Sequence, residues 1–204
     1  PWTNRSLKPF SPLTFYPWDS VPIRPVHYLE STNISSLQPS LPMIIISAMT
    51  ESRVIGLGTG MPWEVPEEYA QYLNFVRGQT VIMGRRTYEI FGQDLDRSQI
   101  IVVSRSLQSA EAQIASSFPA AVELARLRKR TVFVAGGSSI YQAALPLADA
   151  MYLSTIKGEY EGDVYFPEFD PNQWLLAEER DEGSYIFRNF LRPGTSPRAE
   201  GDPR

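Results

Sequence analysis

The chain of 204 residues has no cysteine and a single histidine, His27. The first absence excludes disulfides, thiolate nucleophiles and cysteine-ligated zinc. The second leaves everything outside one proline-rich segment without imidazole. Catalysis there must run on carboxylates, hydroxyls, lysine or arginine, backbone donors, or a cofactor that brings its own chemistry. No metal site is expected. Long apolar runs are missing too: none approaches the roughly 18 residues that a membrane span needs. Nor is there an excess of positive charge. Lys+Arg number 19 against 23 Asp+Glu, a formal net charge of −4, which argues against nucleic acid or an anionic membrane surface as a general partner. What is present, 43% hydrophobic and 21% charged residues, is the balance of a globular domain large enough to bury a core.

Residues 1–42 hold 8 of the 17 prolines and show neither helical nor strand periodicity. They are read as an N-terminal extension, disordered or loosely packed, without the basic start and apolar core of a signal peptide. The domain is expected over 43–192, starting at Met43, the first methionine, and residues 193–204 are expected to form a disordered tail. Between them the runs MIIISA, QTVIMG, SQIIVVS and RTVFVAG are short, β-branched and nearly continuous, as in strands buried on both faces of a parallel sheet. Helices are expected at 66–77, 86–91, near 119–128 and at 138–147. AMYLSTI follows, and then WLLAEER and SYIFRNFL, joined by Asp-Glu-Gly, read as an antiparallel hairpin. The class is α/β, with a mainly parallel sheet and an antiparallel C-terminal edge.

Two strands end in glycine and run straight into a helix: VIM-GRRTYEIF at Gly84, and VFVA-GGSSIYQAAL at Gly136 and Gly137. Glycine lets the backbone approach a ligand, and the first amides of a helix are unpaired donors. Two such turns on one sheet edge could hold a pyrophosphate, with Arg85, Arg86, Thr87, Ser138 and Ser139 as further donors. Neither is a Walker loop and neither fits GxGxxG, so each alone reads equally as a tight strand-to-helix turn. A third strand ends at Ser104-Arg105, a hydroxyl and a cation of the kind that suit the 2′-phosphate of NADP rather than the bare ribose of NAD.

A helix starting at Pro66 carries Tyr69, Tyr72, Leu73 and Val76 as one stripe. Glu68 lies one turn before Tyr72, on the border of that stripe, while Glu67 turns about 100° further, toward water. Glu68 is therefore the candidate for a partly buried carboxylate. Desolvation can raise such a group by up to ~3–5 pKa units. A helix N-terminus favours the anion by only ~0.3–1 kcal/mol, so burial is expected to win. A flat heterocycle offering two adjacent N–H donors would suit the anion; a surface glutamate at a helix start is the plainer alternative.

Taken together, MIIISAMTESRVIG, GMPWEVPEE, VIMGRRTYEIFG, VFVAGGSSIYQAALPLADAMYLSTI and EYEGDVYFPEFDPNQW resemble bacterial-type dihydrofolate reductases, over about residues 43–175. MPW, MGRRT, GGSSIY and EGDVYFP in this order are very specific. The resemblance implies an eight-stranded sheet with an antiparallel C-terminal strand and about four helices. It implies a cytoplasmic monomer that reduces 7,8-dihydrofolate with NADPH, by hydride transfer to C6 and protonation of N5. In that reading Glu68 binds the pterin's N3 and 2-amino group, and Ser154 stands where a threonine usually bonds that carboxylate. Tyr69, Tyr72, Phe91 and Leu95 wall the pocket with Ile46 and Ala48 behind. Met61 and Trp63 belong to the loop over the nicotinamide, and Ala135 and Tyr141 lie beside it. Gly136–Gly137 is implied to be a cis peptide. Ala48, Ile55, Gly56 and Ile140 join Gly84, Arg85, Arg86, Thr87, Ser104, Arg105, Gly137, Ser138 and Ser139 around the cofactor.

One position departs from the family. The arginine that grips the substrate's glutamate tail falls at Ser98, with Arg97 beside it; a shifted backbone could restore the contact. Two other readings stay open: a related reductase of another pterin or of a ribosylamino-pyrimidine, and a catalytically silent pterin- or nucleotide-binding protein.

Overall fold

The β-branched runs become the interior of a sheet. The computed structural model describes residues 41–58, 60–96, 99–108 and 111–194. The expectations placed on residues 1–40, His27 included, and on residues 195–204 lie outside the described residues. In chain order the elements are β1 (Met43–Thr50), β2 (Val54–Gly56), α1 (Pro66–Val76), β3 (Thr80–Gly84), α2 (Arg85–Phe91), β4 (Ile100–Val103), β5 (Gln113–Ala115), α3 (Phe118–Leu127), β6 (Val132–Val134), α4 (Ser138–Ala144), β7 (Ala150–Ile156), β8 (Val164–Tyr165), β9 (Leu175–Asp181) and β10 (Tyr185–Leu191).

Eight strands form one sheet in the order β5-β4-β3-β6-β1-β7-β10-β9, and β2 pairs with β8 in a separate antiparallel ribbon. Within the large sheet only β10 runs against its neighbours, β7 and β9. The fold is thus α/β with four α-helices on the sheet, as the sequence pattern and the resemblance both imply.

Continuous apolar runs are what a doubly covered sheet requires. Ile45, Ile82, Ile101 and Val134 point to the face covered by α3 and α4, and their neighbours Ile44, Val81, Ile100 and Phe133 to the face where Tyr72 and Phe75 of α1 pack. Each such side chain stabilises the fold by roughly 1.5–3 kcal/mol when fully buried. Strands that alternated apolar with polar would lose half of that. α3 is started by Ser117, whose hydroxyl accepts the Ala120 amide.

The connections decide where a site can form. From β1 the chain crosses to β3, β4 and β5 on one side, returns to β6 between β3 and β1, and then passes to β7 on the other side of β1. In open parallel sheets, ligands settle beyond the carboxyl ends of the strands where the direction of winding switches. Among the described residues no helix is long and apolar enough to cross a membrane.

Candidate active site

A cleft of about 860 Å³ opens at that switch point. The carboxyl ends of the parallel strands line it: Ala48 from β1, Gly84 from β3, Val103 to Arg105 from β4, Ser116 after β5, and Ala135 to Gly137 after β6. α1 closes one end with Glu68, Tyr69 and Tyr72, and the β2–β8 ribbon covers another side with Ile55, Gly56 and Val164.

The two glycine turns lie side by side because β3 pairs with β6. The Gly84 amide donates to the Gly136 carbonyl at 2.7 Å. Gly136 and Gly137 are joined by a cis peptide bond, and Gly136 has φ +101, a conformation L side chains rarely adopt. Arg85, Arg86, Thr87, Ser138, Ser139, Ile140, Ser104 and Arg105 all face the same cleft. Arg85 also pairs with Glu89 one turn on, at 2.9 Å, an exposed contact worth a few tenths of a kcal/mol. The Ser104 oxygen accepts the amides of Ser106 and Leu107, at 3.2 and 3.0 Å. Its own O–H is a further donor on the cleft wall.

Tyr141 lines the cleft as well, and its hydroxyl donates to the Ile46 carbonyl at 2.9 Å. The register of β1 with β6 ends at Ile45–Val134. The phenol therefore serves a β1 carbonyl just past the last paired residue, and ties β1 to α4 across the site.

At the α1 end Glu68 is 6% exposed, and it is the one carboxylate among the described residues that line the cleft. Burial holds its pKa above the ordinary 4.5, and a hydrogen bond with Ser154 pulls the other way. Burial also pushes the phenols of Tyr69, Tyr72 and Tyr141 well above the usual range, so they stay neutral donors. Glu67, one residue earlier, is exposed and accepts from Ser184 at the tip of the β9–β10 hairpin.

The raised value has a consequence for stability. Glu68 gives up its proton less readily in the folded chain than in the unfolded one. The stability linked to that proton is fully present below about pH 4.5 and is lost as pH rises through the raised folded value. Glu68→Gln keeps the shape without the charge. The ligand-free variant is expected to melt above the parent at neutral pH, with the gap closing as the parent's carboxyl becomes protonated. Thermal unfolding followed across pH tests this; a gap that ignores pH would place the cost elsewhere.

Of the site residues read from the sequence, Ile46, Ala48, Ile55, Gly56, Met61, Glu68, Tyr69, Tyr72, Phe91, Ala135 and Tyr141 line the cleft together with the turn residues above. Three stand behind its wall. Ser154 is buried on β7 beside Glu68. Trp63 is buried in a cluster with Val54 and Tyr185, against Met61 and Tyr160. Leu95 packs with Tyr72, Phe75 and Tyr88 under the sheet. Arg97 and Ser98 lie outside the described residues. The stripe on α1 also differs: Phe75, rather than Leu73, packs into the core with Tyr72 and Val76. Sequence reasoning missed Ser47, Ile90, Ser116, Gln142 and Val164 on the cleft wall. Ser116 was hidden because β5 has only three residues. Ile90 and Gln142 sit one turn or less from predicted residues on α2 and α4, where helical spacing could have found them. Among the described residues no group of carboxylates, histidines or cysteines gathers in a form that could hold a metal.

The chain is similar to known proteins over the same span. The family model described as dihydrofolate reductase matches residues 42–188. The dihydrofolate reductase of Bacillus subtilis is 36% identical over 161 residues, which is 74% of this chain and 95% of that protein. That of Neisseria meningitidis is 35% identical, over 74% of this chain and 99% of its own. Dihydrofolate reductase HdrB of Haloferax volcanii is 30% identical over 73% and 82%. A solved structure of the Enterococcus faecalis dihydrofolate reductase, complexed with NADP(H) and RAB-propyl, superposes with a TM-score of 0.67. It covers 74% of this chain and 96% of that one, at 23% identity, a likeness of fold.

Proposed function

The chain belongs to the dihydrofolate reductase family, and from that premise we propose how its own residues reduce dihydrofolate to tetrahydrofolate. The observation that carries the reading is Glu68: a carboxylate withdrawn from water, with no cation paired to it among the described residues, at the closed end of a mainly apolar cleft. Such an anion calls for a partner with two adjacent N–H donors on a flat face. The N3 and 2-amino group of a pterin are that partner. Ser154 holds the carboxylate from behind, and Tyr69, Tyr72 and Phe91 flank the ring.

NADPH fits the rest of the cleft. Gly84, Gly136 and Gly137 present backbone without side chains, and the hydroxyls of Thr87, Ser138 and Ser139 stand around them. Arg86 and Arg105 add positive charge to a chain that is negative overall, and Ser104 with Arg105 suits a 2′-phosphate. When bound, NADPH supplies the hydride that reaches pterin C6. The chain's part is to bind, orient and exclude water. Tyr141, Ala135 and Ala48 line the cleft wall where they would orient the two ligands toward each other. Glu68 fixes the ring and, by its charge, favours a proton on N5. That proton arrives on a water entering past Met61. The buried indole N–H of Trp63 has no hydrogen-bond partner among the described residues and is a donor that can hold such a water.

A monomer is taken as the working unit. The cytoplasm is taken as its compartment because substrate and cofactor are both charged and do not cross membranes unaided.

Loss of NADPH absorbance with dihydrofolate, and separately with a dihydropterin that lacks the tail, tests the activity; no oxidation with either would overturn it. Arg105→Ala tests the cofactor assignment. Losing one charge-assisted contact of ~1.5–3 kcal/mol is expected to weaken NADPH by about 10- to 100-fold. NADH, which has no 2′-phosphate, is expected to bind the variant and the parent alike. Equal weakening of both would refute the 2′-phosphate role.

A further inference from the structure

With a ring held by Glu68 and the cofactor branch on its other side, a tail on that ring would pass Tyr69 and Phe91, which line the cleft beside Glu68. Their ring centroids are 6.0 Å apart, and Tyr69 stacks on Tyr72 at 5.8 Å. The outer edge of Tyr69 is tethered at the surface. Its hydroxyl donates to Asp94 Oδ2 at 2.6 Å, from α1 to the exposed loop that follows α2. An acid is thereby fastened at the lip, one phenol length from the wall. Burial is the main reason the Tyr72 phenol lies above its usual range, and the charge of Asp94 adds to it. Among the described residues no lysine or arginine pairs with Asp94, and its hydrogen-bond partner there is the Tyr69 hydroxyl.

We propose that Asp94, tethered to Tyr69, is a specificity-determining residue that reads the charge of the substrate's tail and disfavours tails bearing carboxylates. The inference rests on the reading that Glu68 holds the ring, and it concerns what the ring carries. The physical reason is Coulombic. A carboxylate leaving the cleft at this lip meets a tethered like charge as it enters the solvent. An uncharged tail crosses the same tyrosine rings without that penalty. The preference expected is for dihydropterins with neutral substituents, relative to dihydrofolate with its two tail carboxylates and more strongly relative to derivatives with additional glutamates.

The test compares kcat/KM of the full chain and of Asp94→Asn with 7,8-dihydrofolate and with 6-methyl-7,8-dihydropterin. At low salt the ratio of dihydrofolate to methyl-dihydropterin is expected to rise about three- to tenfold in the variant, carried by KM rather than kcat. In about 1 M salt, where screening acts within roughly 3 Å, the gain should collapse. Tyr69→Phe, which keeps the ring and frees the carboxylate to swing into water, should give part of the same shift. A ratio that stays level or falls in Asp94→Asn overturns the proposal. So does a change shared equally by both substrates, or one that survives high salt, because either marks a merely structural role. A parent chain inactive with both substrates would instead overturn the activity on which the proposal stands, and the proposal with it.

Discussion

Glu68→Gln is expected to cut turnover of dihydrofolate at neutral pH by about two to three orders of magnitude, the usual contribution of a positioned electrostatic group. The argument starts from hydrogen-bond inventory. An ionised carboxylate only accepts; a primary amide accepts on one side and donates on the other. Facing a ligand edge that carries two donors, glutamine must set one N–H against another, and a buried donor left unpaired costs about 1–3 kcal/mol. The negative charge that favours a proton on the ring is lost as well. Part of the activity should return as pH falls, because solution then protonates the substrate without help. Glutamine is chosen over alanine because it fills the same volume, and the ligand-free variant is expected to be the more stable protein at neutral pH. A more stable and less active variant separates function from folding. Turnover at neutral pH within tenfold of the parent would refute the role of Glu68.

The second large effect is expected from a single methyl group. Gly136→Ala places a Cβ 3.1 Å from the ring and hydroxyl of Tyr141, on a residue whose φ is +101. A non-glycine residue held in such backbone costs on the order of 1–3 kcal/mol. The displaced phenol also loses its bond to the Ile46 carbonyl, so the damage spreads to β1. Gly137→Ala is the control. Its Cβ meets only the Thr87 hydroxyl, at an ordinary 3.6 Å, with no positive φ. Thermal unfolding should show a clear drop for Gly136→Ala and little change for Gly137→Ala. Titration with NADPH should show Gly136→Ala weakened by about tenfold or more, the equivalent of 1.4 kcal/mol. Two variants that melt alike would remove the steric argument.

What could be read in advance follows from how local each signal is. Pro66 and the spacing of Tyr69, Tyr72 and Val76 marked α1 and put Glu68 on its inner side, because helix phase is set by neighbours within two turns. The glycine turns were legible for the same reason: strand, glycine and helix follow each other within a dozen residues. β5 was not, since three residues carry no period and Gln113 faces water. The β2–β8 ribbon joins segments more than 100 residues apart, and nothing in either announces the other. Phase alone also misjudged Leu73 against Phe75, because the ring of Phe75 reaches Tyr152 and Phe187, partners supplied by distant strands. The clasp of Tyr69 and Asp94 depends on the course of a loop and left no mark in the spacing.

The order of the strands bears on how the molecule is made. β10 is the last strand of the described chain, yet it fills an interior slot between β7 and β9. During synthesis β7 must wait, its Ala150–Ile156 flank unpaired, until residues 185–191 have left the ribosome. An apolar edge kept open that long invites pairing with another nascent chain. Slowing elongation just before β10 should therefore lower the yield of native enzyme more than an equal pause placed after it.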